Sequence, residues 1–272
     1  MNQLLEDLLA DLAAETDRLW SAVSGLGERA DGGWSTPTPA PGWTVATQVA
    51  HLLWTDETAA AAARSVEGPA DKEAWDAIVL DAIADPTGYV DASAHEVARL
   101  SPAALLARWG KARTALAETL RDFPEGERMP WFGPPMSPSS MATARFMETW
   151  AHALDVYEAL GVEPEVTDRI RHVAHLGVRT RGFAFATHGL PAPAEEFRVE
   201  LIAPSGEVWA WGPDDAVQRV SGPAYDFCLL ATQRIHRDDT ALVAVGAEAE
   251  QWLGIAQCFA GPPGEGRVRN GG

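Results

Sequence analysis

Cysteine is scarce in this sequence, with only Cys228 and Cys258 among 272 residues. Two cysteines are too few for a disulfide framework, and they do not form a CxxC motif. A chain of this length can bury a core without disulfides or a structural metal, so its stability requires neither. We expect both cysteines to be reduced thiols in the core.

Basic residues are also in the minority. The chain has 21 Lys and Arg against 39 Asp and Glu, which gives a formal net charge of −18. Binding to a phosphate backbone needs clustered Lys and Arg side chains that release counterions. The charge balance argues against such binding, and we expect no nucleic-acid partner.

Long apolar runs are absent as well. No stretch reaches the roughly 18 consecutive apolar residues that a membrane-spanning helix needs. The amino terminus, MNQLLEDLLADLAAE, is acidic and amphipathic, whereas a secretory signal begins basic and continues into an unbroken apolar core. We expect a cytoplasmic protein with no membrane partner.

Helical periodicity dominates the first two-thirds of the chain. Apolar residues from Leu5 to Val23 recur at spacings of three, four or seven, which places one apolar stripe on a helix. Ser101 and Ser137 are each followed by proline, a combination typical of a helix start. These patterns predict helices over residues 2–24, 44–64, 102–123, 138–160 and 167–188, with shorter helical pieces in 71–100.

The periodicity changes to alternation after residue 192. Phe197, Val199 and Leu201 alternate with polar residues, and a turn at APSG leads to a second alternating run, which predicts a β-hairpin. Two short strands and two helices follow. We therefore predict an up-down helical bundle over 1–192 and a small α+β domain with a frayed tail over 193–272, an α plus α+β fold class.

The segment between Pro124 and Ser140 is rich in Pro and Gly yet unusually apolar for a linker. It carries Trp131 and Met136, which have to be buried somewhere. Packing over the end of the bundle is one alternative. The other is that these two side chains line a binding cleft and contact a bound thiol or substrate.

One face of the helix over 138–160 carries Arg145, Glu148, His152 and Asp155. Glu148 and His152 are one turn apart, so a carboxylate and an imidazole can converge on one metal ion. The alternative is a solvated face with an Arg145–Glu148 ion pair and a surface histidine. Asp155 has two open roles: it could orient a ligand ring as a hydrogen-bond acceptor, or it could pair with an arginine.

A third metal ligand would have to come from another helix. His51 is the candidate, because it is the only histidine before position 95. It lies well off the apolar stripe from Val45 to Leu52, so it faces the bundle interior only if its helix is packed on two sides. Otherwise it is a surface histidine or a hydrogen-bonded core histidine.

Two separated motifs resemble a known family. MSPSSMATARFMETWAHALDVYEALGV and, upstream, PGWTVATQVAHLLWTDE resemble the DinB-like metal-binding bundles of the mycothiol-dependent maleylpyruvate isomerase family. The part over roughly 197–262 looks like that family's sterol-carrier-protein-like domain. The sequence also looks like a branch sometimes labelled as wyosine-related. Wyosine chemistry acts on tRNA, and the lack of a basic face argues against that substrate.

The resemblance implies a divalent metal, usually zinc with nickel as the other candidate, held by one histidine on the second helix and a Glu-x-x-x-His pair. Carried over position by position, these ligands are His51, Glu148 and His152. The family also has an arginine, after a glycine, that points toward the active site. Here the matching residue is Arg234, preceded by Gln233 where glycine is common.

A His, Glu, His ligand set leaves at least one coordination position open, which is typical of catalytic zinc. In the mechanism that the family implies, the metal stabilises the thiolate of mycothiol, which adds to a small electrophile. Elimination would give an isomerase, and retention of the adduct a thiol transferase. A lyase, hydrolase or cyclase without thiol, and a non-catalytic binding module, remain the alternatives. The sequence leaves monomer and homodimer equally open.

Overall fold

The structure is a computed structural model that describes residues 3–26, 33–264 and 266–269. It divides into two compact units, Met1–Pro164 and Glu165–Gly272. The first unit is helical, and the second combines helices with a small sheet. The predicted fold class is therefore confirmed. Across the described residues, no helix is both long enough and apolar enough to cross a membrane.

Six α-helices make up the described part of the first unit. The predicted helices are present, and the segment 71–100 divides into two. Their bounds are α1 Gln3–Val23, α2 Val45–Arg64, α3 Pro69–Ala84, α4 Tyr89–Val97, α5 Pro102–Asp122 and α6 Pro138–Leu160.

Local capping interactions set the ends of three of these helices. The hydroxyl groups of Thr44, Ser101 and Ser137 accept hydrogen bonds from backbone N–H groups in the first turns of α2, α5 and α6. Each bond satisfies one amide that has no partner within the helix. Gly161 ends α6 in the left-handed conformation, with φ of 65°. Helix ends predicted from these signals are confirmed.

Helix α2 is the central helix of the first unit. It packs against α3, α4, α5 and α6, while α1 packs against α6. Buried residues therefore occur around the whole of α2, including Leu52 on its apolar stripe and Thr47, His51 and Thr55 off that stripe. Helix α2 is therefore packed on more than one side, which is the condition under which His51 faces the bundle interior.

The Pro-rich segment before α6 packs onto the helical core. Trp131 stacks on Trp75 of α3 with ring centroids 6.1 Å apart, and Met136 pairs through its backbone with Met129. Trp131 and Met136 both contact a core cluster that includes Leu5 and Leu120. This packing agrees with the first of the two alternatives, in which the segment packs over the end of the bundle. Contact of Trp131 and Met136 with a bound thiol stays a prediction.

The second unit contains a four-stranded sheet and four α-helices in its described residues. The helices are α7 Arg171–Arg179, α8 Arg181–Thr187, α9 Ala224–Ala231 and α10 Ala247–Ile255, and the strands are β1 Arg198–Ile202, β2 Val208–Trp211, β3 Arg219–Pro223 and β4 Val243–Val245. The order is β2-β1-β3-β4. β1 runs antiparallel to β2 and parallel to β3, and β3 runs antiparallel to β4.

The alternation along β1 sorts its side chains as predicted. Val199 and Leu201 are buried and lie opposite Val220 and Trp209, which are also buried. Arg198 and Glu200 lie on the other face of the sheet, because successive side chains of a strand point to opposite faces. The predicted hairpin is confirmed.

The structure differs in two ways from the single helix that the sequence predicts over residues 167–188. It is interrupted at Thr180, whose hydroxyl oxygen lies within hydrogen-bond distance of two carbonyl oxygens, that of Leu176 at 2.9 Å and that of Gln257 at 3.0 Å. Its first part, α7, packs against α9, so this segment is part of the second unit, which contains the sheet. The two compact units divide after Pro164. The domain boundary at residue 192 stays a prediction.

Candidate metal centre

Three side chains that could hold a metal ion meet where α2 packs against α6. His51 comes from α2, and Glu148 and His152 lie one turn apart on α6. One ligand atom from each of the three lies within 4.8 Å of the others. Glu148 and His152 are close because of their spacing along α6, whereas His51 is close to them because α2 packs against α6.

The distances between ligand atoms suit a small divalent cation. Oε2 of Glu148 lies 3.3 Å from Nε2 of His51 and 3.2 Å from Nε2 of His152. Ligands at about 2.0–2.1 Å from a tetrahedral zinc ion are about 3.3 Å apart. Two imidazoles and one carboxylate form a donor set that zinc and nickel accept. The residues present therefore fit the metal that the sequence motifs imply.

Glu148 is held in its ionised form. Burial raises the pKa of its carboxyl group, but hydrogen bonds from His152 and His51, together with the charges of those rings, outweigh burial. The pKa is therefore well below its usual range. A carboxylate that is already ionised needs to lose no proton before it binds a cation.

The three side chains are accessible to different degrees. The exposed fraction is 8% for His51, 15% for His152 and 24% for Glu148. Two tryptophans lie beside them: the ring of Trp43 stacks on His152 with centroids 5.7 Å apart, and Trp54 lies 6.1 Å from His51. The three side chains are therefore partly accessible, and two large aromatic rings lie beside them.

The second ring nitrogen of His152 has a partner that sequence reasoning missed. Nδ1 of His152 hydrogen-bonds to Oε1 of Gln48, a residue of α2 with no exposed surface. Since Nε2 faces Glu148, both ring nitrogens are engaged, and Gln48 is in the orienting position considered for Asp155. Asp155 itself is buried. Gln48 precedes His51 by three residues, so the helical period was the signal that could have found it.

Arg145 does not pair with Glu148. Its Nε donates to Oδ1 of Asp56 on α2 at 2.9 Å, and both side chains are buried. The expectation of a solvated face with an Arg145–Glu148 ion pair was wrong. The reason is that α2 covers this face of α6 and supplies its own carboxylate.

Arg234 lies in the second unit, just after α9. Gln233 has a left-handed backbone with φ of 60°, and the next amide, that of Arg234, donates to the carbonyl of Leu229 at 2.7 Å. This is the backbone geometry that glycine usually provides at the end of a helix. Gln233 therefore adopts the left-handed conformation that a glycine would be expected to take at this position. A role for Arg234 toward substrate stays a prediction.

Comparison with known proteins agrees with this architecture. A family model described as the mycothiol maleylpyruvate isomerase N-terminal domain matches residues 12–157, and one described as wyosine base formation matches residues 193–245. Two proteins of Mycobacterium tuberculosis, from two strains and each named an uncharacterized protein, are 53% identical to this chain over 259 residues. The match covers 95% of this chain and 97% of theirs.

Solved structures show the same fold. Two crystal structures of the mycothiol-dependent maleylpyruvate isomerase, one of them a histidine-to-alanine mutant, match with TM-scores of 0.57 and 0.54 at 17% identity. Each match covers 88% of this chain and 92% of the other. Because the first family model spans more than half of the sequence, the chain belongs to the mycothiol maleylpyruvate isomerase family.

Proposed function

We propose that this protein is a metal-dependent enzyme that promotes addition of a low-molecular-weight thiol to a small electrophilic substrate. The observation that carries the proposal is the meeting of His51, Glu148 and His152 within 4.8 Å at a partly exposed position. Zinc is the metal we propose, with nickel as the second candidate. The site lies at the junction of two long helices, which favours a geometry that is already formed before the ion binds.

The residues of the chain have distinct tasks in this proposal. Nε2 of His51, Nε2 of His152 and Oε2 of Glu148 would bind the ion, and three protein ligands leave room for an exogenous one. A divalent metal held there would favour the ionised form of a bound thiol at neutral pH. Trp43 and Trp54 would shield one side of the site from water, because their rings lie beside the two histidines.

The state of the two cysteines supports the proposal that the nucleophilic thiol comes from outside the chain. Both Cys228 and Cys258 are buried. Burial raises the pKa of the Cys228 thiol well above its usual range, and the charge of the neighbouring Cys258 raises it further. A thiol of this kind is a poor nucleophile. The nucleophile would therefore arrive with a cosubstrate, and family membership favours mycothiol.

The outcome of the addition depends on the substrate. If the added thiol is eliminated after rearrangement of the adduct, the reaction is an isomerisation. If the adduct is retained, the reaction is a thiol transfer. Arg234 is the residue we propose to bind an acidic group of the substrate, and Trp131 and Met136 are those that would contact the thiol. The two roles of Asp155, orienting a ligand ring as a hydrogen-bond acceptor or pairing with an arginine, stay predictions.

Metal binding is the first test. We expect purified protein to bind about one zinc ion per chain and His152→Ala to lose most of that affinity, as measured by competition with a chromogenic chelator. Glu158→Gln, a change at an exposed position on the same helix, serves as the control and should bind normally. Full metal occupancy in His152→Ala would refute the ligand assignment.

Thiol consumption is the second test. Metal-loaded protein is incubated with mycothiol and a panel of activated alkenes and epoxides, and loss of free thiol is followed over time. We expect turnover with wild type and Glu158→Gln and a loss of about 100-fold or more with Glu148→Gln. If wild type binds zinc but consumes thiol no faster than buffer, the thiol reaction is refuted while the metal site stands.

A further inference from the structure

A chain of three hydrogen bonds connects His152 to the backbone of the segment before α2. Nδ1 of His152 bonds to Oε1 of Gln48. The side-chain Nε2 of Gln48 then donates to Oγ1 of Thr38 at 2.9 Å. Finally, Oγ1 of Thr38 donates to the carbonyl oxygen of Trp43 at 3.1 Å.

The direction of every bond in this chain follows from its last member. The carbonyl of Trp43 can only accept, so the hydroxyl of Thr38 uses its single proton on that bond. Thr38 must then accept from Gln48, which turns the NH₂ group of Gln48 toward Thr38. The carbonyl of Gln48 consequently faces His152, and it can only accept. Nδ1 of His152 therefore carries a proton.

A proton on Nδ1 decides which nitrogen of His152 can bind a metal. When a metal binds, the ring is the neutral imidazole with one N–H and one lone pair, so a proton on Nδ1 leaves Nε2 to bind the ion in place of the proton that Nε2 donates to Glu148 in the metal-free protein. Nε2 is the atom 3.2 Å from Glu148. If the Gln48 amide were reversed, Nδ1 would have to accept and Nε2 would present a proton to the metal position.

Reversal of the amide is disfavoured by its surroundings. Gln48 has no exposed surface, so water cannot replace a lost partner. A reversed amide would draw the Thr38 hydroxyl away from Trp43. The segment itself is held by backbone bonds from Thr38 N to Trp43 O at 2.8 Å and from Trp43 N to Ala40 O at 3.0 Å.

The same segment also positions the His152 ring from its face. The indole ring of Trp43 lies nearly parallel to it, at an interplanar angle of 18°. Trp43, which lies on neither ligand helix, thus contacts the face of the His152 ring and also accepts the last hydrogen bond of the chain that starts at Nδ1.

We propose that Gln48 is a positioning residue that, with Thr38, keeps His152 in the tautomer that presents the Nε2 lone pair to the metal. This inference rests on the metal site of the proposed function. Outer hydrogen-bond partners of metal-bound histidines typically change metal affinity by about 10- to 100-fold. Gln48 contacts neither metal nor substrate and acts only through His152.

The test uses substitutions that keep size and remove hydrogen bonding. Gln48→Met lacks the carbonyl, and we expect it to weaken zinc binding by about 10- to 100-fold. Thr38→Val lacks the hydroxyl, and we expect a weakening of about 2- to 10-fold. Thr38→Ser keeps the hydroxyl and should restore wild-type affinity. Thr58→Val is the matched control, because the buried Thr58 hydroxyl bonds only within α2, to the carbonyl of Trp54.

A second readout needs no metal. Long-range proton–nitrogen correlation spectra of the metal-free protein report which ring nitrogen of His152 is protonated. We expect Nδ1 to be protonated in wild type and Thr38→Ser and unprotonated in Gln48→Met, where Nε2 keeps its hydrogen bond to Glu148. This measurement tests the inference even if wild type binds no zinc, an outcome that would refute only the proposed function.

The two measurements distinguish failure of the inference about Gln48 from failure of the proposed function. Wild-type zinc affinity in Gln48→Met, with the folded state verified by circular dichroism, would overturn the inference. So would a protonated Nδ1 in Gln48→Met, or equal effects of Thr38→Val and Thr38→Ser. Loss of affinity in Thr58→Val as large as in Gln48→Met would also overturn it, since a general packing effect would then explain both.

Discussion

Arg145 and Asp56 form an ion pair in the interior of the helical unit, with 2.9 Å between Nε and Oδ1. Their side chains are only 3% and 8% exposed. The indole N–H of Trp109 donates to the second oxygen of Asp56 at 3.3 Å. Asp56 lies on the helix of His51 and Arg145 on that of Glu148, so the pair joins the two helices that carry the candidate metal ligands.

Removal of Asp56 should destabilise the protein strongly. Asp56→Ala leaves the buried guanidinium of Arg145 without a counter-charge, and we expect a loss of about 3–5 kcal/mol in the free energy of unfolding. Urea denaturation measures it. Glu57→Ala provides the comparison, because it breaks a pair with Arg108 that is about half exposed, and it should cost less than about 1 kcal/mol. Equal losses in the two variants would contradict the importance of burial.

The stability of the metal-free protein should fall in acid because of Glu148. The pKa of this group is lower in the folded than in the unfolded state, so the unfolded state binds more protons as the pH falls. Stabilisation is fully present above the ordinary glutamate pKa and is lost as the pH falls toward the folded-state value. Urea titrations between pH 6 and about pH 3 should show a shallower decline in Glu148→Gln. A slope equal to that of wild type would be the contrary result, and Glu158→Gln should retain the wild-type slope.

Gln233 should be a strained position that glycine relieves. Its φ of 60° is unfavourable for a residue with a Cβ atom. Gln233→Gly should raise the free energy of unfolding by up to about 1 kcal/mol, whereas Gln233→Ala should not. Thermal or urea unfolding measures both variants. A destabilised Gln233→Gly would show instead that the side chain, which lies close to Gly264, matters more than the backbone.

Trp131 should matter for stability through its stacking on Trp75. Trp131→Ala removes half-buried aromatic area, and we expect a loss of about 1–3 kcal/mol with no change in zinc affinity. Unfolding curves and chelator competition give the two values. Phe132→Ala, at a more exposed neighbouring ring, should cost less. An increase in KM for mycothiol in Trp131→Ala at unchanged kcat would support the predicted contact with the thiol.

The prediction of this fold from sequence succeeded where a few neighbouring residues decide the outcome. A side-chain cap such as Thr44 or Ser137 bonds to an amide three residues away. The pairing of Glu148 with His152 follows from the helical period alone. The break at Thr180 was not predicted. There the Thr180 hydroxyl lies 3.0 Å from the carbonyl oxygen of Gln257, a contact between residues 77 positions apart that the local sequence does not show.

The candidate site shows the same division. The sequence by itself determined that Glu148 and His152 share a helix face and that His51 lies on another helix, because helix formation depends on spacing, caps and propensity within each segment. Only the tertiary structure decided that α2 is packed on several sides, so that His51 points inward, Gln48 reaches His152 and Asp56 takes Arg145. Those contacts depend on which helix faces meet in the core, and residues about a hundred positions apart carry no local signal of that choice.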